Sequence, residues 1–238
     1  MLLGLGVLLG LLLTIWRVPE KEVSRTLEAA IWVLLAALVG SRAMNVWVNF
    51  NYYQHHPGEI IQVWQGGLSG MGALIGGVLM VIGLAFLWKI PAGELADTLL
   101  PLSGALAITA WLGCWVDGCG YGSVSDRWWA LPGRDEWGVT VNRVPVQLLG
   151  ATLILILVWL LDWAGKRVSI PGLTATIGLL GISAVLFSLS LLRSDPGLTW
   201  NHLRLEAWGA IGWMIFSLFY LVVLLWRRKS QKKKQTAG

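Results

Sequence analysis

Two glycine-rich stretches carry most of the residues that could do chemistry in this chain. The first, at positions 56–77, reads HPGEIIQVWQGGLSGMGALIGG, and the second, at 113–122, reads GCWVDGCGYG. Both lie at the edges of long hydrophobic segments and bring polar side chains there. Irregular polar backbone at membrane depth is tolerated only where protein buries it or where it lines a cavity. The stretches therefore predict the position of a site, although glycine can also serve close helix packing alone.

Arg42 is the strongest single candidate for binding an anion. It lies in LVGSRAMNVW, about midway through an apolar segment. A charged side chain at that depth is costly and by default indicates function. Its planar guanidinium offers a fork of donors that suits phosphate. The alternatives are an arginine that extends to the membrane interface or pairs with a carboxylate.

Asp117, Cys114 and Cys119 lie in the second stretch and could take part in acid–base or thiol chemistry. Asp117 falls where a hydrophobic segment breaks down, so its carboxylate could orient a cation, act as a base, or lie in a solvated turn. The two cysteines are the only ones in the chain. An outward location would favour a disulfide, and small buried apolar side chains are the alternative. Two thiols alone do not make a metal site, so no metal is predicted.

Three further polar residues flank predicted helix ends. Asp97 is predicted to cap the helix that begins near it, because Asp is favoured at helix N-termini. Gln147 follows a proline, and either donates to a buried polar partner or lies in the first helical turn. Glu206 either caps a helix or pairs with Arg193 or Arg204.

The composition indicates a membrane protein. Of 238 residues, 56% are hydrophobic and 13% are charged, and the mean hydropathy is +0.67. Soluble domains carry about 25% charged residues. The 16 tryptophans suit aromatic belts at the membrane interfaces. The sequence contains no GxxxxGK loop, which argues against ATP-driven function, and Ser69 lacks the partners of a hydrolase triad.

Seven hydrophobic segments are candidates to cross a bilayer, which needs about 20 apolar residues. They are predicted at Leu2–Trp16, Leu27–Val48, Gly67–Trp88, Leu95–Val116, Val144–Trp163, Pro171–Leu192 and Leu205–Trp226. Because they are long and do not alternate, helices are predicted rather than barrel strands. The predicted fold is an all-α integral membrane bundle of about seven helices within residues 1–226. An ordered outward-facing insertion at Cys119–Arg143 and a basic tail at 227–238 complete it.

The distribution of Lys and Arg predicts the orientation of the bundle. One set of loops, with the tail, holds twelve of these residues, and the opposite set holds five. The twelve are Arg17, Lys21, Arg25, Lys89, Lys166, Arg167, Arg227, Arg228, Lys229, Lys232, Lys233 and Lys234, and the five are Arg127, Arg134, Arg143, Arg193 and Arg204. The positive-inside rule places the tail in the cytoplasm and the N-terminus outside. Both glycine-rich stretches are then outside, and the tail is a topology anchor rather than a nucleic-acid site.

Six pieces of sequence occur in the order found in one family of membrane enzymes. They are GSRAMNVW around Arg42, HPGEIIQVWQGGLSG from His56, ELADTLLP around Asp97, GCWVDGCGYG, RVPVQLL around Gln147 and LLRSDPG around Arg193. Over nearly its whole length the chain resembles the phosphatidylglycerol–prolipoprotein diacylglyceryl transferases of bacterial inner membranes. The resemblance implies transfer of a diacylglyceryl group from phosphatidylglycerol to the lipobox cysteine thiol of a prolipoprotein. The implied partners are phosphatidylglycerol, the prolipoprotein signal segment and the lipid bilayer, and no metal or organic cofactor is implied.

The resemblance also implies roles for the retained residues. The lipid- and phosphate-binding set comprises Arg42, Arg143, Gln147, Arg193 and Gly122, and its arginines would hold the phosphate. A base must help to remove the thiol proton, since the thiolate is the nucleophile. The catalytic candidates are His56, Asp117 and His202.

The chain departs from the family pattern at several polar positions. The family sequence GGLSFHGG has a functional His where this chain has Met71. The other departures are Trp111 for Arg, Cys114 and Asp117 for two Asn, Cys119 for Glu, and Leu186 and Ser190 for Arg and Glu. One alternative is therefore a non-catalytic relative that binds lipid or a lipoprotein segment. Another is an outward-facing thiol redox protein that uses the two cysteines.

Overall fold

The computed structural model describes residues 1–165 and 170–236. These residues form eight α-helices: α1 (Leu2–Ile15), α2 (Glu20–Val48), α3 (Phe50–Tyr53), α4 (Gly70–Trp88), α5 (Ala92–Asp117), α6 (Val146–Gly165), α7 (Leu173–Ser190) and α8 (Leu205–Thr236). Two antiparallel hairpins pair β1 (Leu131–Arg134) with β2 (Thr140–Arg143) and β3 (Thr199–Trp200) with β4 (Leu203–Arg204). Six of the described helices are long and apolar enough to cross a membrane. The predicted all-α membrane bundle is therefore confirmed.

Part of the predicted charge asymmetry lies outside this description. Lys166 and Arg167 are not among the described residues, and neither are the side chains of Lys232, Lys233 and Lys234. The backbone of α8 continues past Trp226 as one helix, so the predicted start of the basic tail is not a helix end. The division into a membrane domain and a tail stays a prediction.

The first predicted span is shorter than a bilayer crossing. α1 has 14 residues, whereas a crossing helix needs about 20. It packs antiparallel along α5, because Gly6 lies against Thr109 and Gly10 lies against Leu102. Small residues at such contacts let two helix backbones approach closely. The other six predicted spans correspond to α2 and to α4 through α8.

Neighbouring helices of the bundle run antiparallel. Gly40 of α2 faces Gly72 of α4 and Ala36 faces Gly76, so the position rises along one helix as it falls along the other. The same order relates α5 to α6 and α6 to α7, through the contacts Gly104 with Val158, Gly150 with Trp111, Gly178 with Leu161 and Gly181 with Leu157. One end of the bundle therefore carries the connections 49–69, 118–145 and 191–204, and it is named the long-loop end.

The contact between α2 and α4 depends on glycine. A Cβ at Gly72 would overlap the carbonyl oxygen of Gly40, and a Cβ at Gly76 would overlap that of Ala36. In a membrane, helices associate through such close packing because lipid provides no hydrophobic driving force between them. This glycine contact between α2 and α4 is named the seam. It fixes the start of α4, and the loop that leads into α4, against α2.

Two clusters of buried apolar side chains lie inside the bundle. One is built from α2, α4 and α5 and includes Ala29 and Leu99. The other is built from α5, α6 and α7 and includes Trp111, Val144 and Ile154. The second cluster reaches the long-loop end, so it supports the segments that follow α5 and precede α6.

Asp97 caps a different helix from the one predicted. α5 begins at Ala92, so Asp97 lies in its second turn and the predicted cap of its own helix was wrong. Its carboxylate accepts hydrogen bonds of 2.6 Å from the backbone N–H groups of Gly172 and Ala175 at the start of α7. The acidic side chain thus complements the positive N-terminal end of α7. A sequence pattern identifies a cap but not the helix it serves when the partners lie 75 residues apart.

The predicted insertion is an ordered surface element built around the β1–β2 hairpin. Its strands pair Leu131 with Arg143 at the open end of the hairpin. Trp128 and Trp137 are exposed on its surface. Exposed tryptophans suit the headgroup level of a membrane interface.

Candidate functional site

The segment Cys119–Gly122 follows α5 at the long-loop end and contacts residues of both later connections. α5 ends at Asp117, and Gly118 then turns the chain with φ +76°, in the left-handed region. A Cβ at Gly118 would approach the carbonyl oxygen of Asp135 to 2.6 Å, so the turn also requires glycine for space. A disulfide joins Cys114 to Cys119 across this turn.

Gln147 holds the start of this segment in place. Its side chain is 2% exposed, and its Nε2 donates to the backbone oxygen of Cys119 at 2.9 Å. Gln147 also lies in the first turn of α6, so both predicted alternatives describe it: it is an N-terminal helical residue and it donates to a polar partner. The predicted contact between Gln147 and lipid stays a prediction.

Gly122 gives the segment its close packing. Its backbone forms an isolated antiparallel bridge with Arg193, and the N–H of Ser194 donates to the oxygen of Tyr121 at 2.9 Å. A Cβ at Gly122 would approach the carbonyl oxygen of Val144 to 2.5 Å. Glycine is thus needed here for packing, and its predicted lipid contact stays a prediction.

Arg143 borders this segment from the β2 strand. Its Nη2 lies 2.9 Å from Oδ2 of Asp135, and its guanidinium carbon lies 4.4 Å from the ring centre of Tyr121. Asp135 also accepts from the backbone N–H groups of Trp137 and Val139, which fixes it inside the hairpin turn. Burial raises the pKa of Tyr121, so its phenol stays protonated. The buried Nε of Arg143 has no hydrogen-bond partner among the described residues.

Arg193 borders the same segment from the other side, within a cluster of four charges. Its Nε and Nη2 donate to the two carboxylate oxygens of Asp195 at 2.8 and 2.6 Å, and its Nη1 donates to Glu206 at 2.6 Å. Arg204 donates to the backbone oxygen of Asp195 at 2.6 Å and to its carboxylate at 3.2 Å. Burial lowers the pKa of Arg193, but Asp195 and Glu206 outweigh it, so the pKa is raised and Arg193 stays charged.

Arg42 does not lie in this cluster and its donors are already occupied. The side chain is 7% exposed and makes five hydrogen bonds to five backbone carbonyls of the loop before α4. The acceptors are Glu59, Ile60, Gln62, Gly66 and Gly67. A guanidinium has five N–H donors. In this arrangement all five are used, so Arg42 holds the loop before α4, and its predicted contact with phosphate stays a prediction.

His56 belongs to the loop that Arg42 holds. Its ring stacks on Tyr52, with 4.5 Å between ring centres, and its Nδ1 lies 3.1 Å from the Tyr52 backbone oxygen. The hydroxyl of Tyr52 donates to Glu59 at 2.8 Å, and this bond raises the pKa of Tyr52. Tyr53 lies against the Arg42 guanidinium, 5.2 Å from its carbon to the ring centre. His56 is therefore an exposed part of an ordered aromatic cluster.

The other two catalytic candidates are exposed, one in a hairpin turn and one at a helix end. His202, with φ +64°, forms the turn of the β3–β4 hairpin together with Asn201. Asp117 is the last residue of α5. The long-loop end thus carries all three candidates, on three separate segments. Within residues 1–165 and 170–236, no group of three or more His, Cys, Asp or Glu side chains could hold a metal ion.

Four of the positions predicted to depart from the family pattern hold side chains that contact the bundle itself. Trp111 is 9% exposed and lies against Gly150, and Met71 lies against Gly209 of α8. Leu186 packs on the second apolar cluster. Ser190 donates to the Phe187 carbonyl of its own helix at 2.6 Å. These four side chains therefore contribute to packing within the bundle.

The fold and its long-loop end define a multi-pass membrane protein with a charged site built from loops at one end of an apolar bundle. Comparison with protein families identifies the family to which this membrane protein belongs. The family model for prolipoprotein diacylglyceryl transferase matches residues 1–223, and the chain belongs to that family. The predicted resemblance is thereby confirmed, and it makes the chain a member of a family of bacterial inner-membrane enzymes.

Individual relatives agree with this assignment. The chain is 26% identical to a phosphatidylglycerol–prolipoprotein diacylglyceryl transferase of Symbiobacterium thermophilum, over 99% of this chain and 91% of the relative. It is 26% identical to the one of Synechococcus elongatus, over 97% of this chain and 84% of the relative. The match to the Trichormus variabilis relative is 33% identical but covers 42% of this chain and 36% of the relative. Similarity is therefore spread along the chain and higher in part of it.

Proposed function

We propose that this protein transfers a diacylglyceryl group from phosphatidylglycerol to the lipobox cysteine of prolipoproteins. Its family and the names of its relatives support the reaction class. The single observation that carries the proposal is the placement of Arg143 and Arg193. They come from separate segments, and both border Cys119–Gly122. Two partly buried guanidinium groups at one site suit a phosphate-bearing substrate.

The reaction needs stabilisation of the negative charge that develops on the departing phosphate. It also needs removal of the proton from the thiol. The thiol sulfur attacks the glyceryl carbon that bears the phosphate, and a carbon–sulfur bond forms as the carbon–oxygen bond breaks. The electron pair leaves with the phosphate oxygen, so negative charge grows on the departing glycerol phosphate. Arg193 and Arg143 stabilise that charge because they are already oriented in a partly dry site. The thiol proton passes to a base.

We assign the base to His202, ahead of His56 and Asp117. His202 lies on the β3–β4 hairpin, two residues before Arg204 of the charge cluster. An imidazole can accept a proton near neutral pH. The ring of His56 is stacked in the loop cluster, and Asp117 lies on the far side of the Gly118 turn. Replacing His202 by Gln should therefore reduce the transfer rate more than the matching His56 change.

We further propose that the long-loop end faces the outside of the cell. Lysine and arginine are fewer in the connections at this end than in the opposite loops and the tail, as the positive-inside rule requires of outer loops. A prolipoprotein signal segment would then reach the site from the outer half of the membrane. Accessibility labelling of single cysteines, introduced in the cysteine-free protein at Trp137 and at Arg228, tests this orientation. Labelling from outside at Arg228 would contradict it.

The decisive test is a transfer assay with the purified full-length protein. It is incubated with phosphatidylglycerol and a lipobox peptide, and the thioether product is measured by mass spectrometry. Arg143→Gln and Arg193→Gln should each lower the rate by at least about tenfold, the effect of one lost charge-assisted contact in a transition state. Arg127→Gln, an exposed change in the same insertion, is the matched control. Absence of any thioether with the wild-type protein, beside an active relative, would refute the proposal.

A non-catalytic relative that binds lipid is the second candidate. The packing of Met71 and Trp111 favours it, because these side chains fill space where the family pattern has polar groups. Such a protein would bind phosphatidylglycerol without consuming it. Rescue of a transferase-depleted strain by this gene would exclude the second candidate.

A further inference from the structure

We infer that Arg193 and Arg204 form a binding site for a lipid phosphodiester, and that Glu206 occupies this site as an internal anion until the lipid displaces it. The inference rests on the proposed function and extends it to two residues outside the family motif, Arg204 and Glu206. It also predicts that loss of the acidic side chain of Glu206 should strengthen lipid binding, whereas loss of a binding-site residue ordinarily weakens it.

The two carboxylates of the cluster are held very differently. Asp195 is 9% exposed, and both its carboxylate oxygens and its backbone oxygen accept from arginines. Glu206 is 50% exposed at its side chain, and a single oxygen, Oε2, touches both arginines. Moving Glu206 into solvent would break one short hydrogen bond, at 2.6 Å to Arg193. Asp195 is therefore part of the scaffold, and Glu206 is the part that can leave.

Arg204 carries a donor that Glu206 does not satisfy. Its Nε is buried and has no hydrogen-bond partner among the described residues. The distance from this Nε to Oε2 of Glu206 is 3.7 Å, which is too long for a hydrogen bond. A buried donor left without a partner costs about 1–3 kcal/mol. A ligand with two oxygens, one for Nη1 of Arg193 and one for Nε of Arg204, would satisfy both groups.

The charge of the cluster specifies a monoanion. With Glu206 in place, two arginines face two carboxylates and the cluster is neutral. With Glu206 displaced, the arginines exceed Asp195 by one charge, because two positive charges less one negative charge leave +1. A phosphodiester carries one negative charge and two free oxygens. It therefore restores neutrality and reaches both unsatisfied donors, and arginine is the residue best suited to it.

The surroundings place this site at the level of lipid headgroups. Trp200 is 67% exposed, its ring lies 5.1 Å from that of Trp208, and its backbone oxygen accepts from Nε1 of Trp208 at 3.0 Å. Tryptophan is enriched at membrane interfaces, where its ring lies at the headgroup level. Gly197 leaves room for the guanidinium of Arg204, since a Cβ there would approach Nη2 to 2.5 Å. The cluster is thus accessible at the depth where a phosphodiester group lies.

The test measures lipid binding without an acceptor peptide. The full-length protein in detergent is titrated with phosphatidylglycerol, with phosphatidylcholine and with inorganic phosphate, for the wild type and three variants. Glu206→Gln should tighten phosphatidylglycerol binding by about tenfold, the value of one competing charge-assisted hydrogen bond. Arg204→Lys, which removes Nε but keeps the charge, should weaken it by a similar factor. Glu136→Gln, an exposed change in the β1–β2 turn, should leave it unchanged.

Each outcome decides the inference. Unchanged or weaker phosphatidylglycerol binding by a folded Glu206→Gln protein overturns it, and tightening seen with inorganic phosphate alone overturns the lipid assignment. Equal tightening for both lipids supports a phosphodiester site that does not read the headgroup. If Glu206→Gln does not fold, Glu206→Asp replaces it, since the shorter side chain should hold Arg193 less well and tighten binding less. A failed transfer assay beside tightened binding would refute the proposed reaction but not this site.

Discussion

Replacing Arg42 separates two roles that the sequence alone does not distinguish. As a phosphate ligand, Arg42 would matter to lipid binding and little to stability. As the anchor of the loop before α4, it should matter first to stability. The structure favours the anchor, because all five of its donors reach backbone carbonyls of residues 59–67.

The expected magnitude follows from the exposure of those carbonyls. A hydrogen bond to a charged group contributes about 1.5–3 kcal/mol, so five such bonds counted at full value would exceed the stability of many domains. The acceptor residues are half-buried or exposed, however, so water replaces most of the lost bonds. We therefore expect Arg42→Ala to lower the free energy of unfolding by about 3 kcal/mol, close to the cost of one or two fully buried charged bonds. Arg42→Lys, with three donors in place of five, should lose about half as much.

The assay combines unfolding in detergent with limited proteolysis of residues 56–69. Arg42→Ala should unfold at lower denaturant and be cleaved faster in this loop. Arg25→Ala is the matched control on the same helix, because Arg25 is exposed and contacts Trp88 through one long hydrogen bond of 3.4 Å and a ring contact of 4.9 Å, both of which should matter less. Unchanged stability and cleavage in Arg42→Ala, together with loss of phosphatidylglycerol binding, would refute the anchor and restore the phosphate role.

Three further perturbations test the framework around the site. Replacing Cys114 and Cys119 together by Ser opens a loop closed over a separation of five residues and should cost about 2 kcal/mol; reductant should then lower the unfolding midpoint of the wild type but not of the double variant. Asp97→Ala removes the cap of α7 and should cost about 1–2 kcal/mol in detergent unfolding, whereas Asp97→Asn keeps one acceptor and should cost less. Gly72→Ala should force α2 and α4 apart and cost about 2 kcal/mol, while Gly83→Ala, with open space around it, should be neutral; equal stability of the two glycine variants would contradict the seam.

Helix positions were predictable from the sequence because long apolar runs have few other structures in a membrane. The predicted span Gly67–Trp88 corresponds to α4, which begins at Gly70. The predicted start of the second span at Leu27 was late by seven residues, since α2 begins at Glu20. Charged residues end an apolar run without ending the helix, so hydropathy alone misses such extensions.

The partners of polar side chains were much harder to predict. The carbonyls that hold Arg42 lie 17 to 25 residues away and belong to an irregular loop. No periodicity links them to a single arginine. Asp195, by contrast, follows Arg193 by two residues. Opposite charges this close together in a loop predict an ion pair, so the sequence carried a signal for the charge cluster.

The four-charge cluster also has a consequence for the order of assembly during synthesis. The hydrogen bonds of Arg42 can all form once the chain reaches Gly67, because every carbonyl that accepts them lies within 25 residues of Arg42. These contacts need only this part of the chain, so they do not wait for the later helices. The charge cluster needs Glu206, which enters with the last helix. Until that helix is inserted, Arg193 and Arg204 face Asp195 alone, and a ribosome-bound chain would carry one uncompensated positive charge at the membrane surface.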